Sequence, residues 1–489
     1  MDITSESTDI TAQVKERITL APGLPNPNPT QSSWQQPPHP IVANIQSNLA
    51  DEADIVIIGS GVTGCGAAHA LLHHPDATEL RITVLEARET CSGATGRNGG
   101  HICSNILESF GPLMDAHGLE AALETARFSE ANAIRLREVT ASLAKKDREA
   151  TELRDVVLGT STSNSETMEG FKTAVRLLEQ EYPDSLIEFK FVDDRDRIKE
   201  FSFQDDVVGL VEQHGAAAVW PYRLITAIFE KLLTEFEDRF TLQTSTPVQA
   251  IKFNPTESPS YSVTTPRGII RAHKVIHCTN GFSGHLLPNL VGAIYPLRGT
   301  MSVQKPGPDF PLLGDRFSWS FVNEFTYHPE SDVWDTQYHY VQQNAKTGEI
   351  WIGGEYQKLS ELLTSDDSTV GEITQQKLSA VLPTLFSKVE PHQVRKVWSG
   401  IMAFTSDGCP IVDQLPSSIS GREGEGEWIA AGYNGHGMDK AWLCGEGIAR
   451  MALGEKSVPG LPQIYLLGEE RLGRLTADGS VGAFKSMFS

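Results

Sequence analysis

Residues 53–74 read ADIVIIGSGVTGCGAAHALLHH. The branched apolar run Ile55 to Ile58 has the composition of a strand buried on both faces. It leads directly into Gly59-Ser60-Gly61-Val62-Thr63-Gly64, a G-x-G-x-x-G pattern, and then into small and apolar residues of helical length. In this pattern Gly59 permits the tight turn, Gly61 leaves the main chain bare where a pyrophosphate approaches, and Gly64 lets helix and strand pack closely. The helix start then offers its partial positive charge to phosphate. The next strand-like run, RITVLEA (81–87), carries Glu86, 22 residues after Gly64, where an acid holds a ribose hydroxyl. An acid there disfavours a 2′-phosphate, and hence NADP. Strand, glycines, helix and acid in register point to a bound dinucleotide; they do not choose between NAD and FAD.

The rest of the chain sets the frame. Its 489 residues suffice for several domains, and 39% are apolar, enough for a large core. The formal charge of −22 repels phosphate backbones and anionic lipid, which excludes nucleic acid and membrane surfaces as primary partners. The six cysteines, at 65, 91, 103, 278, 409 and 444, form no CxxC pair, so no metal site is expected and reduced, buried thiols are. No apolar run approaches a membrane span and no signal peptide is recognisable, so a cytoplasmic protein is expected. Residues 1–50, rich in Pro, Asn, Gln and Ser, read as an extended or disordered arm, with Trp34 packing on the body. Apolar spacing predicts long helices over 118–149, 166–182 and 220–236, and strand-like segments recur across 240–281 and 293–356.

After Glu86 comes a second glycine-rich stretch, ARETCSGATGRNGGHICSN (87–105). A simple NAD enzyme has no need of it, whereas the longer FAD molecule requires a second loop. Near the other end of the chain, EWIAAG leads through YNGHGM (433–438) into a helix-like run, so two glycines flank a histidine between strand and helix. Bare backbone there suits the close approach of a flavin ring. The amides of His436 and Met438 are expected to stabilise the charge that a reduced flavin carries.

With these motifs the chain resembles the D-amino-acid oxidase superfamily of FAD-dependent oxidoreductases, in the glycine/sarcosine oxidase branch and close to γ-glutamylputrescine oxidase-like proteins. The resemblance rests on Gly96-Arg97-Asn98-Gly99-Gly100 with His101, on WPYRL (220–224), TPVQAI (246–251), CTNGFSGHLLP (278–288), YPLRGTM (295–301) and YNGHGM. It implies an α/β chain. A Rossmann-type FAD-binding domain is assembled from 51–110, 205–290 and 395–489, and an α+β, sheet-containing substrate-binding domain from 111–204 and 291–394. It implies FAD contacts from Gly59 to Gly64, Glu86, Ala87, Arg88, Gly93, Ala94, Thr95, Arg97 to His101, Val248, Thr279, Asn280, Gly281 and Gly435 to Met438.

The implied activity is oxidation of a C–N bond of an amine or amino acid by hydride transfer to flavin N5. The imine is hydrolysed, and oxygen reoxidises the flavin to give hydrogen peroxide. A dehydrogenase or tailoring enzyme using another acceptor, and a flavin-binding protein without turnover, are the competing readings. An NAD enzyme is a weaker one.

Departures from the family pattern sharpen the expectation. The Lys that holds the substrate carboxylate in sarcosine oxidases is matched by Asp439, with Lys440 next; Asp439 reads as the cap of the following helix, and a cationic or bulkier amine is favoured. The Lys near flavin N5 is matched by Trp351, and the cysteine of covalent relatives by Gly400, so FAD is expected to be non-covalent. In QYHYVQQ (337–343), Tyr338 and Tyr340 should face the flavin and His339 the other side. Tyr340, Trp351, His436 and Arg298 are the candidate catalytic residues, Arg298 either holding an acidic group or bracing the passage between domains.

Overall fold

The structure, a computed structural model, describes residues 3–205, 207 and 209–488. Two sheets organise it. In the first, Phe240–Gln243, Ile82–Leu85, Glu52–Ile58, Gly268–His277 and Glu427–Ala431 run parallel in that order, and Ile411–Gln414 adds an antiparallel edge. The hairpin of Ala250–Phe253 and Tyr261–Thr265 extends from Gly268–His277. Ile55, Val56 and Ile57 are all fully buried, as a strand covered on both faces must be. The crossover helix Val62–His73 returns the chain to Ile82–Leu85, a right-handed βαβ unit in the expected place.

The second sheet has nine strands. Gln393–Thr405, Ile294–Lys305, Ile350–Gly353, Tyr338–Gln343, Phe317–Val322, Arg154–Ser161, Leu210–Ala218 and His101–Ile102 follow one another, and Phe189–Val192 pairs beside Leu210–Ala218. Leu210–Ala218 and Gln393–Thr405 therefore bond into the larger sheet, and sheet membership changes near Pro221 and Ser406.

The helix expected over 118–149 is two, Leu119–Ala141 and Lys145–Ala150. The Thr140 and Ser142 hydroxyls bond back to Leu136 O (2.6 Å) and Val139 O (2.7 Å), competing with helix continuation. The arm also differs from expectation. Ile3–Ile18 is a helix, followed by an ordered strap without strands. Trp34 is 2% exposed, stacks on Trp351 with centroids 4.8 Å apart, and donates its indole N–H to Asn98 O at 2.6 Å.

Helix Val62–His73 crosses helix Ala441–Ala452 at glycines. A Cβ at Gly445 would lie 2.3 Å from Thr63 O, and one at Gly66 2.7 Å from Trp442 O. Main chain cannot yield as a flexible side chain can. Gly445→Ala is expected to lower unfolding stability by about 1–3 kcal/mol or more, measured by denaturant titration. Trp34→Ala removes a fully packed indole and is expected to cost about 3–5 kcal/mol in the same measurement.

Candidate active site

The two sheets face each other across one large cavity of ≈ 550 Å³. Its wall is drawn chiefly from the turn after Glu52–Ile58, the loop after Ile82–Leu85, the turn after Gly268–His277, the YNGHGM loop and one face of the nine-stranded sheet, with residues of the arm and of the far end of the described chain added.

The first turn is built as the glycines require. Gly59 has φ +108, and a Cβ there would lie 2.6 Å from Cys278 O; a Cβ at Gly64 would lie 2.0 Å from Gly59 O. Gly64 is thus a packing residue and does not reach the cavity, whereas Gly59, Ser60, Gly61, Val62 and Thr63 line it. Gly61 caps the helix with no side-chain bond, so the helix start opens onto the cavity, a site suited to an anion. Glu86 accepts the Ser60 N–H (3.0 Å) and hydroxyl (2.6 Å) on Oε2 and the Arg88 N–H (3.0 Å) on Oε1. A carboxylate has about four acceptor sites, so capacity remains for a ribose hydroxyl. Glu86, Ala87, Arg88, Gly93, Ala94, Thr95, Arg97, Asn98, Gly99, Gly100, His101, Val248, Thr279, Asn280 and Gly281 all line the cavity. The Thr95 hydroxyl accepts the Val62 N–H at 3.0 Å; the helix start, the acid and the bare loop together fit a dinucleotide.

Arg88 and Arg97 point away from free solvent. Arg88 Nη1 lies 2.9 Å from Asp367 Oδ2, and Arg97 Nε donates to Ser92 O at 2.7 Å and lies 3.7 Å from the same carboxylate. Asp367 O also accepts the Thr30 N–H at 2.7 Å, so one buried acid ties the arm to the loop after Glu86.

At the other glycine loop, Asn434 (φ +51) and Gly435 (φ +82) make a left-handed turn, and Asn434 Oδ1 accepts the Thr405 N–H at 2.9 Å. Gly435, His436, Gly437 and Met438 line the cavity. The His436 amide, expected to face a flavin, instead donates to Tyr433 O at 3.0 Å, because the turn closes on itself. Its ring Nδ1 lies 3.1 Å from Asn434 O, which can only accept, and burial lowers its pKa. A neutral ring with Nε2 as acceptor follows.

Asp439 does not cap the next helix. Lys440 occupies the cap without a side-chain bond, and Asp439 is buried beside the Lys440 ammonium (3.3 Å) and the Ser129 hydroxyl (3.4 Å).

On the sheet side, Tyr338 and Tyr340 both line the cavity, with centroids 5.8 Å apart, while His339 turns toward Gly353 O at 3.3 Å. Burial drives both phenols far above their ordinary pKa, so they stay protonated. Trp351 and Arg298 are absent from the wall. Trp351 is stacked under Trp34 and beside Trp220, because the arm occupies that side of its strand. Arg298 donates through Nη1 to Thr369 Oγ1 (3.2 Å) and Asp366 O (3.3 Å), bracing that loop.

Sequence reasoning missed Glu355, which lines the cavity at 6% exposure. A charged residue directly after Gly353-Gly354, beside a run of buried strand, was the available signal. Burial raises its carboxyl to about 7, with the Thr300 amide and Thr336 hydroxyl holding it down in part.

A parallel sheet with a glycine turn at its switch point, an acid on the next strand, and a mostly antiparallel second sheet lining the same cavity define a dinucleotide-dependent oxidoreductase of the two-sheet flavoprotein class. The family model for FAD dependent oxidoreductases (DAO) matches residues 54–451, and the chain belongs to that family. It is an FAD-dependent oxidoreductase. Glycine oxidase from Geobacillus kaustophilus superposes with a TM-score of 0.64 at 17% identity, over 86% of this chain and 99% of that one. L-proline dehydrogenase from P. horikoshii gives 0.64 at 18%, over 85% and 97%. L-amino acid deaminase from Proteus myxofaciens gives 0.63 at 15%, over 90% and 97%. These neighbours share the fold and single out no branch of the family. A search of curated proteins returns no match. No helix among the described residues is long and apolar enough to cross a membrane.

Glu355 has a folded pKa of about 7 against an ordinary 4.5. A raised carboxyl contributes stability that is present below the unfolded value and lost as pH rises through the folded one. In thermal melts, stability should therefore decline between roughly pH 4.5 and 7, by a few kcal/mol at most, and Glu355→Gln should flatten that decline.

Proposed function

We propose that this protein oxidises the C–N bond of an amine, using non-covalently held FAD, and that oxygen is the acceptor that restores the cofactor. One observation supports this above others: both glycine clusters and the tyrosine-bearing sheet face open onto the same cavity, so a cofactor and a small organic substrate share one enclosed space. When bound, FAD supplies an acceptor for the hydride that leaves the carbon next to nitrogen.

The chain's own residues do the rest by orientation and exclusion of water. The 51–110 segment would hold the diphosphate at the Gly61–Thr63 helix start and the ribose at Glu86. The amides of Gly437 and Met438, at the start of an uncapped 3₁₀ turn, would face the electron-accepting ring. Neutral His436 and the protonated Tyr338 and Tyr340 offer one acceptor and two hydroxyls without adding charge. The aromatic faces suit an amine substrate. Gly400 lies against Arg97 Cβ and has no sulfur to offer the cofactor, in keeping with non-covalent attachment.

The purified protein should be yellow and release FAD on denaturation. Anaerobic addition of a panel of primary amines, secondary amines and amino acids should bleach the flavin band with at least one amine, and air should restore it with stoichiometric peroxide. A bleached flavin that air does not restore would replace oxygen with another acceptor. Bound FAD that nothing in the panel bleaches would overturn the proposal in favour of a flavin-binding protein without turnover.

A further inference from the structure

Five residues lining the cavity carry a formal charge: Glu86, Arg88, Arg97, Glu355 and Asp439. Four are already engaged. Glu86 is hydrogen-bonded by Ser60 and Arg88. Both arginines are held at Asp367. Asp439 Oδ1 also lacks a hydrogen-bond partner but lies 3.3 Å from the Lys440 ammonium. Glu355 alone among these five combines an unbonded oxygen with the lack of an ion-pair partner among the described residues. Its carboxyl meets the Thr300 amide, and the Thr336 hydroxyl lies 3.5 Å from Oε2, but its buried Oε1 has no hydrogen-bond partner. That oxygen sits against Gly299, itself on the cavity wall; a Cβ there would come within 2.9 Å of it. Tyr340 lines the same space, and an un-ionised phenol beside a carboxylate makes a wall that accepts a cation.

A buried acceptor without a donor costs free energy unless a ligand supplies one. Among the described residues the wall has, besides, no unpaired cation with which to hold a carboxylate, which an α-amino acid would bring.

We propose that Glu355 is the specificity-determining residue of the site, receiving a protonated nitrogen of the substrate through its unpartnered Oε1, so that the protein selects cationic amines lacking an α-carboxylate over amino acids. This rests on the reading of the cavity as the site of C–N oxidation. A donor from the substrate restores the missing hydrogen bond, and the paired charges leave the net field on that side negative. Glu355 need take no part in electron transfer for this selection to operate.

The test is a pair of probes of matched chain length and opposite charge, n-butylammonium and butanoate, titrated anaerobically into the FAD-loaded protein. Affinity is read by calorimetry and by perturbation of the flavin spectrum. Wild type should bind butylammonium at least about tenfold more tightly than butanoate, the scale of one charged hydrogen bond. Glu355→Gln should lose at least about tenfold in butylammonium affinity, with butanoate affinity equal or better and FAD content unchanged. An unchanged butylammonium affinity in a flavin-loaded Glu355→Gln variant overturns the proposal. Should that variant not fold, the wild-type pair alone decides: butanoate binding as tightly as butylammonium overturns it, and the reverse order upholds it. An amine that bleaches the flavin equally well in wild type and Glu355→Gln would leave C–N oxidation standing and remove only the role given to Glu355.

Discussion

The cavity depends on a contact between two stretches of main chain. Helix Val62–His73 and helix Ala441–Ala452 approach so closely that Gly66 faces Trp442 O and Gly445 faces Thr63 O, with no room for a side chain at either glycine. Residues almost 380 positions apart are thereby fixed next to each other. The start of the first helix opens onto the cavity through Gly61 to Thr63, and the loop just before the second presents Gly435 to Met438 to the same space. The Thr63 hydroxyl bonds to the Tyr433 hydroxyl at 2.9 Å and locks the two together. Glycine-to-backbone packing fixes distance within tenths of an ångström, because neither partner has rotamers to adjust. A larger residue at 445 would move both halves of the cofactor seat at once.

A second tie comes from a part of the chain outside the family match. The arm before residue 54 supplies Trp34, whose indole N–H is given to Asn98 O, and Thr30, whose N–H is given to Asp367 O. Asp367 in turn holds Arg88 and Arg97. The glycine-rich loop 87–105, with little side-chain bulk of its own to pack, is therefore fastened from outside. Gly23 to Pro25 of the arm and Met487 and Phe488 at the other end of the described chain also reach the cavity wall, so both extremities help enclose it. Engaging both arginines at Asp367 is a consequence of this fastening, and it leaves Glu355 as the wall acid with neither an ion pair nor a bonded Oε1.

What could be read in the sequence was what local geometry dictates. G-x-G-x-x-G after a buried strand is legible because each glycine answers a contact within a few residues, as Gly64 against Gly59 O shows. Alternation along a strand placed Tyr338 and Tyr340 on one face and His339 on the other, as found. The misplacements involve contacts with distant segments. Trp351 stands where the family resemblance implies a residue near the flavin, yet Trp34, more than 300 residues earlier, covers it. Arg298 takes the second of its two expected roles, bracing, by bonding to the loop carrying Asp366 and Thr369. Asp439 looked like a cap because it precedes a helix, but the Lys440 ammonium and the Ser129 hydroxyl claim its carboxylate. The arm's proline and glutamine content hid a helix at Ile3–Ile18, and composition could not report the docking partners that order the remainder.

The electrostatic character of the cavity follows from burial more than from composition. The chain carries a formal charge of −22, yet at neutral pH the groups on the sheet side are mostly uncharged. Two phenols are held protonated and two histidines, His101 and His436, are held neutral, each by removal from water. His101 donates Nε2–H to the Ser318 hydroxyl, whose own proton goes to Val341 O, so the proton arrangement there is fixed by neighbours. The carboxyl of Glu355, poised at about 7, is the exception on that wall. Its charge state responds to what enters the cavity, since an arriving cation favours the carboxylate and an arriving anion favours the acid.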